Sequence, residues 1–403
     1  MSEQQRIYDY LRDLVLISST SQDVLGVNRV VDYLTSLFAQ IDFKAKRMQN
    51  PRGKEVSGDL IVFNSNNKKA LMTLICHSDT LSINTKDKPK FKGNLSDHTL
   101  KGPGVIDNKG GIIVIYLALA KLQKKLPLAL SELPFSIQVL CSPNEELGSS
   151  GWHLVFKDLA KTSKFLLGFE PAFGENGSVV KSRRGNRWYK INCHGREAHS
   201  GRAHKDGLNA NLELCKKILE IQKLNDYSKN VTVNFGSIQT EKDVYNLVAG
   251  NAHAKLDLRF SLQSDLDSTH KEIMSIVKKS YIQNEGGLAC DSSYEIVDDC
   301  PAMPANSASA DFVKRYCEIL SQKENKPIEA VESGGAADIC YMYDEDKICL
   351  DGLGPVGIGM HTEQEGLYWP SVFSRSDAMC DFLFEIVQAE YRAVSETFHP
   401  ANV

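Results

Sequence analysis

The chain has no C-x-x-C pair, no H-E-x-x-H and no G-x-S-x-G. The first absence fits cysteines that are reduced thiols and not part of a disulfide-dense small scaffold. The second argues against a one-zinc protease, and the third against a serine hydrolase with a nucleophile elbow. The longest apolar run, residues 110–120, is about half of the roughly 20 residues a membrane-spanning helix needs. The first ten residues, MSEQQRIYDY, lack the basic start and apolar stretch of a secretory signal. The net charge of −4 gives no general basic field, so neither a nucleic acid nor a membrane surface is expected as a partner. The ten cysteines follow no disulfide-scaffold spacing. They read as reduced, mostly buried thiols of a cytoplasmic enzyme, Cys76 included as an apolar strand-end filler.

What is present is ordinary in composition, with 42% hydrophobic and 24% charged residues. At 403 residues the chain exceeds one comfortable core, so two domains are expected. In GVNRVVDYLTSLFAQI the apolar positions repeat at helical spacing, whereas DLIVFNS and ALMTLICH read as strands. A buried helix over 110–122, the strand FSIQVLCS, the helix SGWHLVFKDLA and the strand KFLLGFE follow. This alternation predicts an α/β catalytic domain of three layers with a mostly parallel sheet. Near residue 181 the texture changes to alternating strands, RWYKINCHG, VTVNFGSI and HAKLDLRFS, with helices expected over 208–222 and 266–279. That is a two-layer α+β domain. Beyond it the helix–strand rhythm resumes and ends in a long helix from about 371 to 394. The expected organisation is a catalytic domain in two parts, 1–182 and 299–403, with 183–298 inserted as a lid.

The chemistry sits where strand-like runs end. His77 closes ALMTLICH, Glu145 and Glu146 follow FSIQVLCS, Glu170 follows KFLLGF, and Asp107 lies in the turn before a helix. In α/β sheets ligands collect beyond the carboxyl ends of strands. Each residue alone reads more readily as a capping or hydrogen-bonding group. Together with His361 they form a nitrogen and oxygen donor set suited to a pair of zinc-like ions, with cobalt and manganese also compatible. His361 is remote in sequence, so the carboxy-terminal part must fold back onto the amino-terminal part. GPGVID puts Asp107 where the third glycine of a dinucleotide loop belongs, which discounts nucleotide binding.

The motif series HSDT, GPGVIDNKGG, PNEELGSSG, GFEP, GREAHSG, YNLVAG, LDLRF, SGGAAD and GPVGIGMHTEQEG resembles the dizinc exopeptidase and deacylase family. The resemblance runs from His77 to the final helix and is strongest to its glutamate carboxypeptidase, or carboxypeptidase G, branch. It implies two Zn²⁺ per chain: His77 and Glu170 on one, His361 and Glu146 on the other, and Asp107 bridging both, with a cis peptide at Asp107–Asn108. It implies that Asp79 orients His77, and that Glu145 moves protons as water attacks an amide carbonyl. The reverse assignment, with Glu145 the ligand and Glu146 the bystander, stays open. It further implies a homodimer formed through the lid, in which His199 reaches the neighbouring site and stabilises the oxyanion. Asn246 and Arg259 would grip the substrate carboxylate, while Gly334 and Gly335 would let backbone N–H groups approach the substrate.

Two departures from the family pattern bear on specificity. His204 stands where relatives often have proline, and Glu332 stands where glutamate-cleaving relatives tend to carry a basic residue. Glu170, where aminopeptidases of the family have aspartate, favours a carboxypeptidase acting on a small peptide or N-acyl amino acid. An N-acyl-amino-acid deacylase is the nearest alternative. A non-catalytic binding protein on the same fold is a third, which metal analysis would separate.

Overall fold

The structure, a computed structural model, describes residues 2–81 and 89–398, with side chains to 394. The chain divides into two compact units: residues 1–182 with 305–333 and 337–403, and residues 183–304 with 334–336.

The first unit is built on a six-stranded sheet. Its strands run in the order Lys44–Met48, Leu60–Asn64, Ser136–Ser142, Ala70–His77, Phe165–Gly168 and Ile348–Leu350. The last four are mutually parallel, and Leu60–Asn64 runs antiparallel to both its neighbours, so the sheet is mostly parallel as expected. Ser136–Ser142 is buried at every position and Ala70–His77 at all but one. A strand buried on both faces must be covered on both, which is why these runs show no polar alternation. The helix Lys109–Lys125 is likewise apolar on nearly all sides. It packs against the strand ending at His77 and beneath the final helix, Trp369–Phe398. Its first turn approaches the strand ends closely: a Cβ at Gly111 would lie 2.4 Å from the Phe169 carbonyl oxygen. Only glycine allows that contact, which sets Asp107 beside the segment carrying Glu170.

A small antiparallel sheet completes the site's frame. Thr99–Lys101 pairs with Gly366–Tyr368, which pairs with Gly357–Ile358. The loop holding His361 is thereby tied to the segment that leads into Asp107. Neither this sheet nor the helix Glu3–Leu16 is anticipated by the sequence reading. Its strands are two or three residues long, too short for a two-residue period to register.

The second unit is a four-stranded antiparallel sheet in the order Thr232–Thr240, Asn251–Phe260, Gly185–His194 and Asp291–Cys300. Asn251–Phe260 alternates buried and less buried positions, the signature of a sheet covered on one face. The helices Ala210–Ile221 and Gln263–Lys278 supply that cover, enclosing a separate core around Ile191, Leu256 and Ile273. The sequence reading ended this insertion at 298. The strand Asp291–Cys300 stays paired with Gly185–His194 through Cys300, and Met303 still bridges Arg183, so the unit extends to 304. Among the described residues no helix is long and apolar enough to cross a membrane.

Candidate metal centre

His77 is the last residue of its strand and is fully buried. Its Nε2 lies 2.9 Å from Asp107 Oδ1, and its Nδ1 lies 3.0 Å from the Asp79 carbonyl and 3.3 Å from Asp79 Oδ1. His361 approaches the other Asp107 oxygen, with Nε2 at 3.2 Å from Oδ2 and also 3.2 Å from Glu146 Oε2. Glu170 Oε1 is 3.8 Å from His77 Nε2. Donor atoms of His77, Asp107 and Glu146 all fall within 4.8 Å of one another. Asp107 therefore sits between two sets of donors, His77 with Glu170 and His361 with Glu146. The Asp107–Asn108 peptide is cis.

Glu145 and Glu146 begin a short 3-10 turn, Glu145–Leu147. Successive side chains on such a turn diverge by roughly 120°, so the two carboxylates point apart, and it is Glu146 that joins the cluster. Asp79 fixes the turn, accepting the Glu145 N–H at 3.1 Å on one oxygen and the Glu146 N–H at 3.2 Å on the other. Ser21 donates to the same carboxylate at 2.6 Å. One buried aspartate thus holds an imidazole and the backbone of both glutamates.

The electrostatics follow from this crowding of carboxylates. Burial alone would lower the His77 pKa, but hydrogen bonds to Asp107 and Asp79 and the charge of Glu170 raise it well above the usual value. His361, hydrogen-bonded to Asp107 and Glu146, is raised to about 10. Asp107 is pulled below the usual carboxylate range: burial acts upward, and the two histidines more than reverse it. Glu145 is pushed well above its usual range by burial and then by Glu170, with His77 opposing.

Three residues with no place in the sequence reading hold the frame. Glu365 is buried and accepts backbone N–H groups of Gly104 at 2.8 Å, Ile106 at 2.9 Å and Asp107 at 3.2 Å. It therefore clamps the Asp107 turn from a position four residues beyond His361. Burial pushes its carboxyl up to about 7 against those three donors. Asp338 accepts from Ser142 Oγ, and from Ser149 Oγ at 2.5 Å, bracketing the turn that carries both glutamates. Ser21 is the third. Glu365 and Asp338 lie within motifs the resemblance already rests on, which is the signal that could have found them; Ser21 has none.

The remaining candidates belong to the second unit. His199 ends the short strand Ala198–His199, opposite Leu247, and Ser200 N–H donates to the Asn246 carbonyl at 3.0 Å, so His199 and Asn246 are neighbours. Gly201 N–H donates to His199 Nδ1 at 3.1 Å, which leaves Nε2 as the donor of a neutral ring. Arg259 Nε donates to both Asp257 oxygens at 3.0 Å. That is an ion pair on the strand surface, and among the described residues its Nη groups make no hydrogen bond. Gly335 O accepts from Arg183 Nη1 at 3.0 Å, and a Cβ at Gly334 would meet nothing within 4 Å. The folded chain itself does not demand glycine at 334.

A strand-end cluster of two imidazoles and several carboxylates on this α/β fold defines a hydrolase of the metallopeptidase class. Residues 181–285 match the peptidase dimerisation domain of the M20 family. The chain is 26% identical to carboxypeptidase G2 of Pseudomonas sp. (strain RS-16), covering 90% of this chain and 84% of that one. It is 23% identical to succinyl-diaminopimelate desuccinylase of Ruthia magnifica subsp. Calyptogena magnifica, covering 72% and 77%. A dinuclear metal-binding peptidase of the M20 family from Bacillus subtilis shares the fold, with a TM-score of 0.67 at 11% identity over 96% of this chain and 98% of that one. These likenesses are to peptidases and amide hydrolases of the M20 kind.

Proposed function

We propose that this protein is a dinuclear metallo-carboxypeptidase that releases a C-terminal amino acid from a small peptide or an N-acyl amino acid. The observation that carries the proposal is Asp107, with one imidazole against each of its oxygens and a further carboxylate beside each imidazole. The donors fit zinc-like ions: Asp79 occupies His77 Nδ1, which leaves Nε2 to ligate, and the set mixes nitrogen with carboxylate oxygen. His77 and Glu170 would hold one Zn²⁺, His361 and Glu146 the other, and Asp107 both; Co²⁺ or Mn²⁺ suit the same donors.

When bound, the metals supply Lewis acidity, which lowers the pKa of a water from 15.7 towards about 7 and polarises a carbonyl oxygen. Glu145 accepts the water's proton on its carboxylate and returns it to the leaving amide nitrogen. His199 donates from Nε2 to the developing oxyanion, in a homodimer from the neighbouring subunit. Arg259 and Asn246 take the C-terminal carboxylate, and the loop of Gly334 and Gly335 lines the substrate's path. In this reading residues 183–304 are the lid and dimerisation domain. Ten cysteines that follow no disulfide-scaffold spacing fit a cytoplasmic location.

A panel of acetyl-, succinyl- and peptidyl-amino acids assayed with zinc tests the assignment. Peptidyl substrates should be preferred. Preference for an acyl group would install the deacylase reading, which the desuccinylase relative favours. Mixing His199→Ala with Glu145→Ala chains should restore part of the activity, because a hybrid dimer holds one intact composite site. Failure to complement places the whole site within one chain.

Metal uptake should depend on pH in a defined direction. Ligation needs a neutral imidazole, yet in the metal-free protein His361 keeps its proton up to about pH 10. Binding below that pH should release at least about one proton per chain, and affinity should climb as pH rises. The same raised pKa stabilises the metal-free fold fully below about pH 6.5. That contribution fades as pH approaches 10. Calorimetric titration in buffers of different ionisation enthalpy measures the protons; none released would contradict the assignment of His361.

A further inference from the structure

We infer that the cavity beside the metal cluster is a subsite for an anionic group, a carboxylate on the acyl side of the substrate, held by Lys92 and Lys101. The cavity has a volume of about 410 Å³ and lies within the first unit. Its walls continue directly from the metal-holding segments: Thr80 and Leu81 follow His77, Pro103 precedes Asp107, and Thr362 follows His361. Leu81 joins the two places physically, since its N–H donates to Glu146 Oε1 at 3.2 Å.

Lys92 and Lys101 both line this cavity and face each other across an isolated antiparallel bridge. They exchange both backbone hydrogen bonds, at 2.8 and 2.9 Å. Residues so paired project their side chains to the same side, with Cα atoms about 5.5 Å apart. Like charges directly opposite each other are destabilising. Neither lysine makes an ion pair with any described residue, Glu363 in the same wall included. Glu365, also in the wall, spends both oxygens on three backbone N–H groups and is not directed at the lysines. Two ammonium groups that make no ion pair with a described residue, at the rim of a cavity, form a positive focus that an anion relieves.

The C-terminal carboxylate of the substrate is assigned to Arg259 and Asn246 of the second unit under the function proposed above, on which this inference rests. A second negative group, seated in the first unit, is assigned to the acyl portion.

The test compares an N-succinyl amino acid with its N-succinamoyl counterpart, of the same size without the charge, on the metal-loaded protein. Wild type should favour the succinyl compound by about 5–10-fold in kcat/KM, less at high salt. Lys92→Ala and Lys101→Ala should each reduce that preference, and Lys92→Glu should reverse it, while rates on the succinamoyl compound hold. Equal rates in wild type, or variants that lose both substrates alike, overturn the inference. Inorganic phosphate is the second arm. Lysine-dependent competition against the succinyl compound alone supports the subsite. Lysine-dependent inhibition of both substrates alike makes the cavity a site for a free anion and overturns the acyl assignment. Binding of the two compounds to the Glu145→Ala protein gives the comparison without turnover. A chain that binds with this charge preference but hydrolyses neither compound refutes the proposed function and leaves the subsite standing.

Discussion

Glu145→Ala should keep its full complement of metal and lose about 10²–10⁴-fold in kcat, the range typical of a lost general base. Two features of the turn support this. The backbone N–H groups of both glutamates are held by Asp79, so truncating one side chain leaves the turn in place. The 3-10 geometry directs neighbouring side chains about 120° apart, and Glu146, not Glu145, shares the cluster with His77 and Asp107. Glu145 also has the environment of a proton carrier. Burial and Glu170 hold its carboxyl well above the usual range, so it keeps a proton where an exposed glutamate would not. Cations placed in the cluster would pull that pKa back down by direct attraction, towards the range in which it can both accept and return a proton. Metal analysis beside steady-state kinetics separates the outcomes. Loss of metal in Glu145→Ala, with retention in Glu146→Ala, would exchange the two roles.

The metal candidates were legible because each stands at a boundary that hydrophobic patterning can locate. His77, Glu146 and Glu170 follow runs too apolar to be anything but buried strands, and Asp107 precedes an all-round apolar helix. His361 has no such boundary. Its loop joins strands of two and three residues and sits at a φ of 61°. The motif resemblance supplied it, and the structure brings it to Asp107 across 254 residues of chain. Glu365 stayed hidden for a related reason. Its partners are backbone N–H groups, which leave no pattern in side-chain identity, and they lie some 260 residues away, as Gly104 does at a separation of 261. Ser21 and Asp338 show the same limit. A hydroxyl or carboxylate in a polar loop reads as turn chemistry until the fold reveals what it faces.

Asp107→Ala should lower the affinity for zinc by more than about 100-fold and abolish turnover. Under the proposed function each metal position would draw three protein donors: His77, Glu170 and Asp107 on one side, His361, Glu146 and Asp107 on the other. Three protein ligands are the usual number for a catalytic zinc. Removing one shared carboxylate leaves two on both sides at once, so the loss should strike both positions and not one. Asp79→Ala is the informative comparison. It removes a group that orients His77 without ligating, and such outer partners typically contribute about 10–100-fold to affinity. Asp79→Ala should therefore weaken metal binding by less than Asp107→Ala, acting on His77 directly and on Glu146 through the turn it holds, while Asp107→Ala empties the pair. The two variants also differ without metal. Asp107 is the hydrogen-bond partner common to both imidazoles, so its loss should let His77 and His361 both titrate at lower pH, whereas loss of Asp79 removes a direct partner of His77 only. Chelator competition for zinc and histidine titration by NMR measure these effects independently. Asp107→Ala protein that still held two zinc ions at wild-type affinity would end the case for a shared carboxylate.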